Sequence, residues 1–260
     1  MNNTNVKQFL NKVPEVTLYF WSIKVLCTTV GETAADYLNE TLHFGLIGTS
    51  FVMSILLLVM LFFQMRAKKY IPSLYWIVVV LISIVGTLIT DNLTDKLEVS
   101  LVVTSFAFLF ALIATFVGWF ASEKTLSVHS ITTVKRETFY WSAILFTFAL
   151  GTAAGDLMAE KLGLGYQTSI FIFAGAIALV TALHFVVKYF LTAEHQQQST
   201  NAVLAFWVSY ILTRPLGASI GDFLSQSRVD GGIGLGTTLT SALFLFAIFG
   251  LVYRHSISKR

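Results

Sequence analysis

Charge, cysteine and proline are all scarce in this sequence, and each shortage narrows what it can be. Charged residues make up 12% of the 260, half of the roughly 25% carried by a soluble domain. Hydrophobic residues reach 55% and the mean hydropathy is +0.74. Too little polar surface remains to cover a water-soluble core, so lipid is the implied solvent. The single Cys27 has no partner in the chain, which excludes disulfides and cysteine-based metal sites within one chain. No HExxH and no paired His occur, so the common zinc-hydrolase constellation is absent. The polar stretch from Met1 to Lys12 lacks a short apolar core followed by a small-residue cleavage site, so no removable signal peptide is expected. Neither the net charge of +3 nor any motif points to nucleic acid.

What the chain does have is a repeat. Four times a Trp is followed ten residues later by Gly and five after that by Asp: Trp21/Gly31/Asp36, Trp76/Gly86/Asp91, Trp141/Gly151/Asp156 and Trp207/Gly217/Asp222. Only five Trp and six Asp are present, so four identically spaced sets are not chance. Internal repetition of this kind fixes the architecture before any other argument.

Apolar stretches of about 20 residues are the length that crosses a bilayer core. Eight occur, at about 14–38, 44–65, 72–92, 99–121, 137–159, 166–189, 202–224 and 235–253. The expected fold is an all-α membrane protein: eight transmembrane helices from four tandem, parallel two-helix repeats. The whole chain, 1–260, forms a single transmembrane domain, with repeats at about 14–65, 72–121, 137–189 and 202–254. Segments rich in small residues, such as Gly151-Thr152-Ala153-Ala154-Gly155, let helices approach closely. They place the odd helices at the centre and the Phe- and Leu-rich even helices outside. Twelve Lys and Arg fall at the two termini and the loops on their side, against Lys96, Lys161 and Arg228 on the other. That asymmetry puts both termini in the cytoplasm. The basic segment from Ser122 to Glu137 belongs to the same signal.

The aromatic clusters around Trp21, Trp76, Trp141 and Trp207 fit an interfacial belt, while their fixed positions also suit packing between repeats. From Trp to Asp is about 22 Å of helix, which places the Asp residues together in the outer part of the membrane. One turn earlier stand Glu32, Thr87, Thr152 and Ala218, and one turn later Glu40, Asp95, Glu160 and Gln226. Two bases, Lys24 and Arg214, lie inside spans, and Pro215 follows the second. Five acids (Glu32, Asp36, Asp91, Asp156 and Asp222) against these two bases leave a formal −3 at membrane depth. Such a cluster attracts cations, with Lys24 and Arg214 as internal counterions. The opposing view makes the Asp residues helix caps or turn formers, or partners in structural ion pairs, with Glu32 and Lys24 the pair least explained by capping.

These motifs, with Val13-Pro14-Glu15-Val16, Cys27 to Asp36, Ile89 to Asp95 and Thr213 to Asp222, resemble a family of bacterial integral membrane proteins. Its members are built from four tandem repeats, each with two spans and a prominent Trp, and are filed as repeats of unknown function. The resemblance covers about 14–254. It implies this fold and a bacterial inner-membrane location, and brings no substrate.

Function must then come from the residues. Intramembrane ionisable groups mark ion pathways by default, so the leading expectation is a transporter or channel for a small cation, either a divalent metal or a proton-coupled substrate. Asp, Glu and Thr oxygens suit Mg²⁺, Mn²⁺ or Ca²⁺ better than copper, with Asp36 and Asp156 as the first metal ligands to test. No cofactor beyond a bound divalent cation is expected. The partners are the lipid bilayer and that cation, with the oligomeric state open. A non-transporting scaffold or sensor is the alternative, and a membrane-embedded enzyme a more distant one. Retinal binding would need Lys24 as its Schiff base.

Overall fold

The computed structural model describes residues 11–190 and 195–258. Lys7, Lys259 and Arg260, counted in the charge asymmetry, lie outside the described residues. Eight long helices follow one another: α1 Leu18–Asp36, α2 Gly45–Arg66, α3 Pro72–Asp91, α4 Leu101–Glu123, α5 Val134–Asp156, α6 Tyr166–Phe190, α7 His195–Ser225 and α8 Thr237–Ser258. No strand occurs among the described residues. Their starts have local causes. The hydroxyls of Thr17, Ser100 and Thr133 accept from the free N–H groups of Phe20, Val103 and Arg136. Pro72 opens α3, where its missing N–H costs nothing.

Among the described residues seven helices are long and apolar enough to cross a membrane, and α1 is the exception. Lys24 and Glu32 lower its hydropathy, yet twelve of its nineteen residues are buried. Lys24 and Glu32 are both buried against neighbouring helices rather than turned outward.

The odd helices form a closed ring in repeat order, α1 against α3, α3 against α5, α5 against α7 and α7 back against α1. The even helices stand outside with a shift of one repeat. Each packs on the odd helix of the following repeat: α2 on α3, α4 on α5, α6 on α7, and α8 on α1. Every repeat is thereby clasped by the one before it, and the last clasps the first. The buried residues of α2 (Thr49, Met53, Leu57, Gln64) make a single stripe at helical spacing. The rest of that helix presents side chains such as Phe51, Leu58 and Phe62 outward.

The repeated glycines and tryptophans make the ring. A Cβ at Gly31 would lie 1.8 Å from Ser83 Oγ, at Gly86 2.7 Å from Phe148 Cβ, at Gly151 2.4 Å from Arg214 Cγ, and at Gly217 1.9 Å from Thr28 Oγ1. Each glycine therefore admits one side chain of the next helix, always the residue eight positions before that helix's Asp. The tryptophans close the other end in the same order. Trp76 packs on Phe20 with centroids 5.6 Å apart, Trp141 on Tyr75 at 5.5 Å, Trp207 on Tyr140 at 6.1 Å, and Trp21 on Phe206 at 5.5 Å. Three of the four Trp are at most 4% exposed, so inter-repeat packing describes them better than a lipid-facing belt.

Candidate functional site

With the odd helices parallel and in register, equivalent residues stack in layers along the ring axis. At the Trp end Phe20, Tyr75, Tyr140 and Phe206 fill the axis, and the Tyr75 and Tyr140 hydroxyls hydrogen-bond to each other. The next layer holds Lys24, Val79, Ile144 and Tyr210, and the one after it Thr28, Ser83, Phe148 and Arg214, all completely buried. Above these lie Glu32, Thr87, Thr152 and Ala218. The four Asp follow, with Asp222 buried and Asp36, Asp91 and Asp156 half-buried. Glu40, Asp95 and Glu160 are exposed at the rim. The axis is thus buried from the Trp end up to Glu32 and becomes more exposed from the Asp residues outward, so its acidic end is the open one.

Arg214, completely buried, lies beneath the acids on the ring axis. Its Nη2 lies 2.7 Å from Glu32 Oε2 and 2.6 Å from Thr152 Oγ1, and it also meets Thr87 Oγ1. Nη1 donates to the Thr28 carbonyl at 3.1 Å. One guanidinium from the fourth repeat therefore ties together all three others. Small Ala218, one turn above it in α7, leaves the space. Pro215 stays within a continuous α7 and packs beside Gly151 and Gly155.

Lys24 departs from its expected role as a counterion to the acids. Among the described residues it forms no ion pair. Its Nζ lies 4.3 Å from the ring centroids of both Phe148 and Tyr210 and 3.3 Å from Thr213 Oγ1. The reason is reach: Lys24 sits eight residues before Glu32, about 12 Å of helical rise, longer than a lysine side chain spans. Glu32 pairs with Arg214 instead.

The structure brings one oxygen each of Glu32, Asp156 and Asp222 within 4.8 Å of one another. Asp36 and Asp91 face the same cluster, near enough to interact electrostatically with Glu32. Capping does not account for these residues. Asp36, Asp91 and Asp156 make no side-chain capping bond at the helix ends that follow them. Among the described residues none of the four Asp carboxylates has a hydrogen-bond or ion-pair partner. A carboxylate set with hard oxygens and neighbouring threonines could hold a small divalent cation. Asp156 is in the tightest group, whereas Asp36, paired with it in the sequence reading, is not.

The sequence did not reveal the π-helical turns Tyr37–Thr41, Asn92–Lys96 and Leu157–Lys161, which continue α1, α3 and α5 directly from the Asp. Turns of this kind cluster at functional sites. The fourth repeat lacks one and instead folds a Gly-rich loop back on Phe223 to Gln226. Beside that loop a cavity of about 400 Å³ opens at the mouth, lined by Ala159, Glu160, Gly165, Tyr166, Gln226 and Asp230.

A second buried charge pair lies at the Trp end. Lys12 Nζ is 2.6 Å from Glu137 Oε2, and Gln64 and the Trp141 indole also donate to Glu137. It pins the segment before α1 to α5. Gly217-Ala218-Ser219-Ile220-Gly221 has the GxSxG spacing of serine hydrolases, but that motif needs a sharp strand-to-helix turn. Here Ser219 lies inside α7, buried and with its hydroxyl unpartnered, so it has no base.

Ring, clasps and layered axis together define a four-repeat helical bundle of membrane type. The family described as Repeat of Unknown Function (DUF347) matches at residues 19–70, 74–125, 139–189 and 205–260, and the chain belongs to it. Comparisons with curated proteins and with solved structures gave no match.

Proposed function

We propose that this chain is a transporter of a small cation in the bacterial inner membrane, with Glu32, Asp156 and Asp222 as its innermost ligands and Asp36 and Asp91 as the ring that delivers the ion. The observation that carries this reading is the convergence of carboxylates from three repeats within 4.8 Å, above axial layers that are completely buried. Unpartnered acids at membrane depth are costly, and a bound cation would offset that cost. The preferred ions are Mg²⁺, Mn²⁺ or Ca²⁺, from the oxygen-only ligand set.

All eight helices then span the bilayer, α1 included, since its layers stay in register with those of α3, α5 and α7. The basic Trp end faces the cytoplasm and the acidic mouth faces out. The buried layers at the Trp end favour alternating access over a permanently open pore, so an axis closed there and more exposed at the acids fits an outward-facing state. The same closed Trp end also suits a sensor that binds without translocating, and flux separates the two. In proteoliposomes, wild type should carry Mn²⁺ to a trapped, Mn²⁺-quenched dye, and Asp156→Asn should not. Saturable binding with no flux would favour the sensor.

A further inference from the structure

The fourth repeat breaks the pattern of the other three at the acidic end, and the cavity of about 400 Å³ lies at that break. Its polar wall is Glu160 from the turn after α5, Tyr166 from the start of α6, and Gln226 and Asp230 from the segment after α7. Gln226 stands where the other repeats carry the rim acids Glu40, Asp95 and Glu160, and Asp230 restores an acid from the loop. That loop is held in place by its backbone. The Ile233 N–H donates to the Phe223 carbonyl at 2.8 Å, Leu235 to Leu224 at 2.9 Å and Gly234 to Gln226 at 2.9 Å. A Cβ at Gly232 would lie 2.1 Å from the Gln226 carbonyl oxygen, so the loop closes this tightly only with glycine there.

The cavity wall adjoins two of the innermost acids. Glu160 and Gln226 come four residues, about one helical turn, after Asp156 and Asp222. Tyr166 is 8% exposed, and its hydroxyl donates to Glu160 Oε1 at 3.0 Å. It also lies near enough to Asp222 and Asp156 to interact electrostatically with both. Asp222 is itself 6% exposed and, among the described residues, has no hydrogen-bond or ion-pair partner. Such a group is costly to bury unless something pairs with it. Lys161 and Arg228, the bases next to this wall in sequence, form no ion pair with Glu160 or Asp230 among the described residues.

Size and spacing decide what the cavity would take. Among the described residues only Glu32, Asp156 and Asp222 form a set of carboxylates close enough to grip a bare ion, and Glu160 and Asp230 belong to no such set. Six waters at about 30 Å³ each fill less than half of the cavity. A small divalent ion such as Mg²⁺ gives up its waters reluctantly, and contacts made through water are nearly as good as direct ones. We propose that this cavity is an outer docking site for the hydrated divalent cation, which Glu160, Asp230 and Gln226 hold through its water shell before the ion sheds water to reach Glu32, Asp156 and Asp222. The ion's destination rests on the cation-binding function proposed above.

Hexaamminecobalt(III) tests this, because it resembles a fully hydrated ion in size and hydrogen bonding but cannot exchange its ligands. In equilibrium dialysis against the full chain in detergent, at physiological ionic strength, it should bind wild type saturably at one per chain. The exposed pair Glu160→Gln with Asp230→Asn should weaken that binding at least tenfold and leave the melting temperature unchanged. Asp156→Asn should bind the complex as wild type does while losing Mn²⁺, since an inert complex cannot enter the inner cluster. Glu40→Gln with Asp95→Asn, rim acids outside the cavity, should also leave it unchanged. No saturable binding by wild type, undiminished binding by the Glu160 and Asp230 variant, or an equal loss in the rim variant would overturn the docking site. Binding of the complex with no Mn²⁺ binding by wild type would instead overturn the inner site and leave this one standing.

Discussion

Arg214 of the fourth repeat and Glu32 of the first form a buried ion pair, 2.7 Å from Nη2 to Oε2, across the seam where the ring of repeats closes. Removing one member leaves the other charged and unpaired, which costs about 3–5 kcal/mol. Arg214→Met and Glu32→Gln should each lower the melting temperature in detergent clearly. The double variant should lose much less than the sum of the two, because both charges leave together. Additive losses would mean that the pair does not hold the seam.

The glycines that admit the next helix give a contrast within one chain. Gly217→Ala would set a Cβ 1.9 Å from Thr28 Oγ1, whereas a Cβ at Gly175 in α6 meets nothing within 4 Å. Gly217→Ala should therefore destabilise by about 1–3 kcal/mol through overpacking. Gly175→Ala should be neutral or stabilising by up to ~1 kcal/mol, the helix propensity gained. Thermal unfolding of the two purified variants decides it, and equal behaviour would remove the close-packed ring.

Orientation can be read with thiol chemistry because Cys27 is completely buried. In intact cells the parent should not react with a membrane-impermeant maleimide. Leu97→Cys and Val229→Cys, exposed at the Asp end, should label from outside. Lys124→Cys at the opposite end should label only after lysis. Labelling of Lys124→Cys in intact cells would invert the proposed topology.

Four Trp/Gly/Asp sets at one spacing made the repeat, the central odd helices and the shared depth of the acids legible before any coordinates. The order of the clasps was not legible. Even helices such as α4 are apolar around most of their circumference, and neighbouring lipid is as apolar as protein, so no sequence pattern marks which odd helix they choose. Glu32 was identified, but its partner depended on the register between α1 and α7, which a single chain does not encode visibly. Rise along the helix already placed Lys24 too far from Glu32, a distance argument available from the sequence alone. The π-helical turns after Asp36, Asp91 and Asp156 carry no residue signature of their own, and the Lys12–Glu137 pair joins segments 125 residues apart.

The central claim is that the carboxylates clustered on the ring axis bind a divalent cation. Electron paramagnetic resonance of free Mn²⁺, titrated into purified wild type and into Asp156→Asn and Asp222→Asn, measures this directly. Wild type should remove Mn²⁺ from solution saturably at one site per chain, and each Asn variant, folded and melting normally, should bind at least tenfold more weakly. Undiminished Mn²⁺ binding by the Asn variants, or none by wild type, would contradict it.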